Sequence, residues 1–343
     1  MLVIGEASGD LHGANLAAAL LERCPGLSLF GVAGEQLRRL PFEALIDVSR
    51  LAGMGLVELA GNFKEIWTGY HLLRRALRER RPHLLVLIDF PDFNLRLAKY
   101  AKELGVPVLY YISPQIWAWR KGRVRQIARW VDRMAVVFPF EAAFYQTHGV
   151  NVTYVGHPLV ESVRPGEPRA GVLAKLGLDP QKLVVALLPG SRRREVAYHL
   201  PVMLQAAMLL GRAREVQFLC VRASTVDRSQ LDSRLQAADL DVRVVERDRY
   251  DALNAADLVW TASGTASLEA ALLLKPMIIV YRLAWLSFWI ARWLVRVEHI
   301  GMANLIAGER IVPELVQNEL TPERIVEESQ LILDNPETRV RIV

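Results

Sequence analysis

Four short segments place reactive or phosphate-seeking residues directly after apolar runs. In Ile88-Asp89-Phe90-Pro91-Asp92-Phe93-Asn94, the acid Asp89 follows the run Leu84–Ile88. A carboxylate at the end of a buried strand can take a proton from an acceptor hydroxyl as it attacks an anomeric carbon. The competing reading makes Asp89 the cap of the next helix. Asp89 and Asp92 look like half of a metal site, but no histidine or third carboxylate lies near them in sequence, so neither metal nor cofactor is expected.

The segment Leu187-Leu188-Pro189-Gly190-Ser191-Arg192 repeats the pattern of strand, glycine turn and helix. Gly190 and Ser191 form the turn, and Arg192 is a fork-shaped cation suited to a phosphate. Whether that phosphate belongs to a donor or an acceptor stays open. In Thr261-Ala262-Ser263-Gly264-Thr265-Ala266-Ser267-Leu268-Glu269, the turn Ser263-Gly264-Thr265-Ala266 opens a helix. Its exposed N–H groups and positive end suit a diphosphate. Glu269, roughly one helical turn further in, is placed to accept ribose hydroxyls, as acids do in other nucleotide sites. Read blandly, this is a capped core helix with Glu269 exposed.

The fourth segment, Gly5-Glu6-Ala7-Ser8-Gly9-Asp10, follows the first strand. Its glycines permit a tight turn into a helix whose start favours an anion or an oxygen-rich ligand, with Ser8 and Gly9 on that loop. Ser8 also reads as an ordinary N-cap. The dinucleotide fingerprint G-x-G-x-x-G fails, because its second glycine position is Ala7.

The elements that must hold these loops alternate in type. Apolar runs at Leu2–Ile4, Leu29–Val32, Leu84–Ile88, Val108–Ile112, Arg133–Val137 and Val152–Val155 read as buried strands, with helical stretches between most of them. The pattern restarts at Leu183–Leu188, Gln217–Val221, Val242–Val245, Leu258–Thr261 and Met277–Tyr281. Alternation of this kind implies parallel sheets with right-handed crossovers. Two doubly wound, Rossmann-like α/β domains are therefore expected, facing a central cleft formed at the carboxyl ends of their strands. The first spans 1–157 and the second 158–310, joined near Gly156-His157-Pro158. Helices in 311–343 either cross back to the first domain or dock on a partner chain, as in a homodimer.

Length and composition agree with two globular domains. The chain has 343 residues, 52% hydrophobic and 23% charged, with a net charge of +5. That modest excess suits anionic substrates or an anionic membrane surface and does not call for nucleic acid. Cys24 and Cys220 lie far apart and suggest neither a disulfide framework nor a metal site, as expected for a reducing, cytoplasmic setting. No signal peptide is read in the opening residues. The greasiest stretch, Met277–Val297, is interrupted by Arg282, Arg292 and Arg296, so it does not read as a spanning helix of roughly 20 apolar residues.

Beyond the four loops the chain carries Met54-Gly55-Leu56-Val57-Glu58, Tyr111-Ile112-Ser113-Pro114-Gln115-Ile116-Trp117-Ala118-Trp119-Arg120 and Ala303-Asn304-Leu305-Ile306-Ala307-Gly308. In this order the set resembles the lipid-A-disaccharide synthases nearly end to end. The resemblance implies a GT-B fold. It implies inverting transfer of 2,3-diacylglucosamine from UDP-diacylglucosamine to 2,3-diacylglucosamine 1-phosphate (lipid X), releasing UDP. It places an essential acid at Asp89, an essential arginine at Arg192, and Asn304 beside the UDP group. Chains of the family usually carry a few residues before the first strand and run longer than Val343.

Acylated substrates imply a peripheral site on the inner-membrane surface. Phe63, Ile66, Trp67, Tyr70 and Leu73 share one helical face, which reads either as a core stripe or, following the resemblance, as a lipid-facing patch. Over Arg282–Val297, Trp285, Trp289 and Trp293 cluster with the arginines opposite an apolar stripe. They suit headgroups or, alternatively, packing on the other domain. Competing functions are another UDP-amino-sugar enzyme of the same fold, such as a 2-epimerase or the peptidoglycan glycosyltransferase, and a basic membrane scaffold without activity. The Ile88–Asn94 and Ile112–Arg120 segments speak against both competing enzymes, and UDP binding separates an enzyme from a scaffold.

Overall fold

The computed structural model describes residues 1–51, 59–119, 121–223, 225–238, 240–285, 288 and 299–342, and these form two compact units, Met1–Pro158 and Leu159–Val343. The Met54–Glu58 segment, Arg120, Trp289 and Trp293 lie outside the described residues, as does the side chain of Phe63.

In the first unit, β1 (Leu2–Val3), β2 (Leu29–Ala33), β3 (Phe42–Asp47), β4 (Leu85–Ile88), β5 (Val108–Tyr111), β6 (Arg133–Val136) and β7 (Val152–Tyr154) make one parallel sheet, ordered β3-β2-β1-β4-β5-β6-β7. The strands β1 and β4 are almost wholly buried, as expected for continuous Leu/Val/Ile runs covered by helices on both faces. The direction of strand addition reverses between β1 and β4. Open α/β sheets bind ligands at such switch points. The second unit repeats this with β8 (Leu183–Leu188), β9 (Val216–Val221), β10 (Val242–Val245), β11 (Leu258–Ala262), β12 (Met277–Tyr281) and β13 (Glu314–Val316), ordered β10-β9-β8-β11-β12-β13. Its reversal lies between β8 and β11.

Two strands escaped the sequence reading. Both β3 and β13 are edge strands; β3 is only partly buried and β13 has three residues, so neither carries a long apolar run. Among the described residues, the helix Pro322–Asp334 packs on the helix Arg193–Ala213 of its own unit. Trp260 Nε1 donates to Ser329 Oγ at 3.0 Å, and Arg214 pairs with Asp334 at 2.7 Å. Its apolar face, with Ile325 and Ile332 buried, belongs to the second core.

Candidate active site

At the switch point of the first unit, two neighbouring strands end in left-handed backbone. Asp89 (φ 49°) and Phe90 (φ 55°) follow β4, and Ile112 (φ 64°) follows β5. The register pairs Ile88 with Tyr111, so Asp89 and Ile112 leave the sheet at the same level. Such backbone costs roughly 1–2 kcal/mol per residue, and for a β-branched residue it is a true outlier. Strain of this kind collects where geometry is held for a purpose.

Asp89 is half-buried, and its carbonyl oxygen receives two hydrogen bonds, from Tyr110 Oη at 2.5 Å and Asn94 Nδ2 at 2.8 Å. By its place in the motif Asn94 counts, with Ser8 and Gly9, as a candidate for the acceptor or cleft loop. It is instead fully buried, donating also to the Ile88 carbonyl at 3.3 Å, because its helix, Pro91–Glu103, turns this face onto the sheet. The carboxylate of Asp92 is engaged by Arg123. Among the described residues, no group of three or more His, Cys, Asp or Glu is arranged to hold a metal ion.

The Gly5 turn packs directly against this loop. A Cβ on Gly5 would stand 2.3 Å from Phe90 Cγ, so only glycine fits there. The following helix, Ala7–Arg23, starts after Glu6, which places exposed Ser8 and small Gly9 in its first turn and not at the cap. Asp10, which the sequence reading passed over, is buried and accepts the amides of Gly34, Gln36 and Leu37 at 2.8, 2.7 and 3.2 Å. It ties the end of β2 to the first helix.

The Tyr111–Trp119 segment is anchored by another unforeseen acid. Buried Glu141 accepts Trp117 Nε1 at 3.0 Å and the amides of Val137 and Phe138 at 3.3 and 3.1 Å. Burial pushes its carboxyl up to about 7. Ser113 Oγ and Tyr145 Oη share a buried hydrogen bond of 2.6 Å beside it.

In the second unit, Leu188 and Thr261 are register partners, so the Pro189–Arg192 and Ser263–Thr265 loops emerge from adjacent strands. Arg192 caps the helix Arg193–Ala213. The amides of Ser191 and Arg192 both donate to Glu195 Oε2, at 2.9 and 3.2 Å. Gly190 (φ 125°) lets that carboxylate approach; a Cβ there would sit 2.6 Å from Glu195 Cβ. These amides already serve an internal anion, so what the loop offers outward is its side chains. The Arg192 side chain is 70% exposed and 3.4 Å from Glu195 Oε1. Behind the loop lies His199, another residue the sequence reading passed over. Its Nε2 accepts the Arg282 amide at 2.9 Å, so Nδ1 carries the proton and donates to the Pro189 carbonyl, also at 2.9 Å.

After β11, Gly264 (φ 146°) precedes the helix Thr265–Leu272. Gly264 and Thr265 are exposed, and the first-turn amides of an α-helix have no intrahelical acceptor. Ala266 follows in that turn. Ser263 is committed inward, donating from N to Val280 O at 3.1 Å and from Oγ to Ile300 O at 2.9 Å. Glu269 is buried, not exposed. Its Oε1 meets Arg249 Nη2 at 2.6 Å and Tyr250 Oη at 3.2 Å. Burial pushes its carboxyl above the ordinary range, against the pull of Arg249 and the Tyr250 hydroxyl.

Asn304 does not fit the UDP role expected for it. It is wholly buried, and its amide makes four bonds. Oδ1 accepts Ile311 N and Val312 N, both at 2.9 Å, while Nδ2 donates to Val312 O at 2.9 Å and Glu314 Oε1 at 2.7 Å. That exhausts an asparagine side chain, which here ties the segment entering β13 to the helix Met302–Ala307. Arg282 likewise turns inward, onto the carbonyls of Gln317 and Leu320, not outward as Trp285 does.

The expected lipid-facing stripe divides. On the helix Leu59–Arg80, Leu73 is fully buried and Ile66 and Tyr70 pack against the first core, so these three belong to the interior. Trp67, at 54% exposure, and Leu72 face outward, as does Trp285 at 72%. Among the described residues, no helix is long and apolar enough to cross a membrane.

A model of the family described as "Lipid-A-disaccharide synthetase" matches residues 1–342. The lipid-A-disaccharide synthase of Geobacter metallireducens is 50% identical over 338 residues, covering 98% of this chain and 88% of the relative. That of Syntrophus aciditrophicus is 46% identical over 344 residues, covering 100% and 90%. Among solved structures, the UDP-GlcNAc 2-epimerase of Neisseria meningitidis bound to UDP-GlcNAc aligns with a TM-score of 0.69 at 11% identity, covering 99% of this chain and 93% of that one. A glycosyltransferase from Rickettsia africae aligns with a TM-score of 0.60 at 11% identity, covering 99% and 89%. At such identities the likeness speaks for the fold alone, a two-domain, Rossmann-like GT-B architecture.

Proposed function

The chain belongs to the lipid-A-disaccharide synthase family and is a glycosyltransferase of lipid A biosynthesis, and on that premise we propose how its residues divide the reaction. The family's substrates are a UDP-diacylglucosamine donor and the phosphorylated acceptor lipid X. In the proposed division, the acceptor's 6-hydroxyl attacks the anomeric carbon on the face opposite UDP, and Asp89 takes its proton. Positive charge grows on the sugar ring while negative charge grows on the departing diphosphate. The first-turn amides at Gly264–Ala266 and the guanidinium of Arg192 offset the second charge. Removing one such donor typically costs on the order of 100-fold in rate. Glu269 receives the ribose hydroxyls, with Arg249 holding its carboxylate.

One observation carries this reading. The acid stands on a strained loop at the switch point of one sheet, while the helix start and the arginine leave adjacent strands at the switch point of the other. We further propose that the enzyme works at the cytoplasmic face of the inner membrane, held peripherally, with Trp67, Leu72 and Trp285 as exposed apolar contacts. The test is a turnover assay with UDP-diacylglucosamine and a phosphorylated lipid acceptor, run with and without a chelator. Preference for unacylated UDP-N-acetylglucosamine as donor would reject the substrate assignment.

A further inference from the structure

We infer that Tyr110, together with Asn94, is a positioning residue that holds the Asp89 turn in its reactive shape. The inference rests on the reading of Asp89 as the base. Asp89 and Phe90 are two consecutive non-glycine residues in left-handed backbone, a conformation that L-residues leave unless their surroundings fix it. What fixes it here is visible. The Asp89 carbonyl oxygen is caught between the Tyr110 hydroxyl at 2.5 Å and the Asn94 amide at 2.8 Å. Asn94 reaches the preceding carbonyl, Ile88 O, as well, so one amide spans the end of β4 and the start of the turn.

Both donors are fully buried, and the ring of Tyr110 lies on the adjacent strand, where it cannot move independently of the sheet. Burial also holds the Tyr110 hydroxyl far above its ordinary pKa, so it remains a donor at every working pH. The two bonds fall on the main chain. They therefore set the direction in which the Asp89 side chain leaves the turn, which is the quantity a general base depends on. Phenylalanine would fill nearly the same volume at 110 and remove only the hydroxyl.

The experiment is Tyr110→Phe in the full chain, assayed with UDP-diacylglucosamine and diacylglucosamine 1-phosphate. We expect kcat to fall about tenfold, with the donor KM and UDP affinity by calorimetry unchanged, since a misaimed base loses rate and not binding. Asn94→Ala should act in the same direction, and serves if the phenylalanine variant folds poorly. In an Asp89→Asn background the Tyr110→Phe effect should vanish, because a residue that works through Asp89 has nothing left to aim. A wild-type kcat in both Tyr110→Phe and Asn94→Ala would overturn the inference, as would a loss that persists at full size beside Asp89→Asn. Failure of the Asp89 reading looks different: Asp89→Asn alone would then turn over normally.

Discussion

Arg249 Nη2 lies 2.6 Å from Glu269 Oε1, joining a half-exposed guanidinium to a carboxylate that is almost entirely out of water. If Glu269 receives the ribose, Glu269→Gln should weaken UDP binding by about tenfold, roughly 1.4 kcal/mol. Arg249→Ala should instead lower stability by about 1–2 kcal/mol, less than for a fully buried pair because the arginine is partly in water. Calorimetry with UDP and denaturant unfolding separate the two effects.

Asp89→Asn should retain UDP affinity and lose at least 100-fold in turnover, since an amide cannot take the acceptor proton. Comparison of kcat with UDP binding checks this. Undiminished turnover removes Asp89 from the base role.

Arg192 and Glu195 sit side by side but should fail differently. Arg192→Ala should cost about 100-fold in turnover with little change in thermal stability, because its side chain is largely solvent-exposed. Glu195→Ala removes the acceptor for two loop amides and should lower stability by about 1–2 kcal/mol. Melting curves beside kinetics distinguish them. Whether Arg192→Ala raises the KM for donor or for acceptor identifies the phosphate it holds.

Glu141 predicts a pH-dependent stability term. Its folded pKa is raised from an ordinary 4.5 to about 7 by burial. The folded state therefore holds its proton more tightly than the unfolded chain does. This contribution is fully present below pH 4.5 and lost as pH rises through 7, a change of up to about 3 kcal/mol. Glu141→Gln should be less stable than the parent at pH 5, since it cannot accept all three N–H bonds. The gap should narrow by pH 8. Thermal melts across that range test the slope; a gap that stays constant would show that Glu141 does not titrate there.

The two faces of the helix Leu59–Arg80 should separate stability from lipid binding. Leu73→Ala opens a cavity in the first core and should cost about 2–4 kcal/mol. Trp67→Ala should leave the melting temperature nearly unchanged and weaken binding to anionic phospholipid vesicles, measured by sedimentation. Vesicle binding that is identical in both the parent and Trp67→Ala would remove Trp67 from the membrane contact.

Most of the architecture could be read directly from the apolar runs. Leu183–Leu188 and Leu258–Ala262 are short, largely apolar runs with glycine turns behind them, and that length and flanking mark buried strands. The edge strands were illegible because an edge needs no second buried face: Phe42–Asp47 mixes acids with apolar residues and Glu314–Val316 is too short to form a pattern. The site divided along a different line. Motif position located the loops of Asp89, Arg192 and Thr265, but it does not tell which way a polar side chain turns. Asn94 and Asn304 sit within the motifs and point into the protein, because each satisfies backbone groups that would otherwise be buried without partners. Asp10 and Glu141 are legible only once the loops they bridge are seen beside them.

The bare backbone at Gly5 has a consequence for how this chain can change. Phe90 occupies the space a side chain would need there, so two segments far apart in sequence share a single volume. Neither can drift alone. A recombinant that took its opening turn from one relative and its Asp89 loop from another would work only where both parents kept that same fit, and any substituent gained at Gly5 would be felt first as a displaced acid.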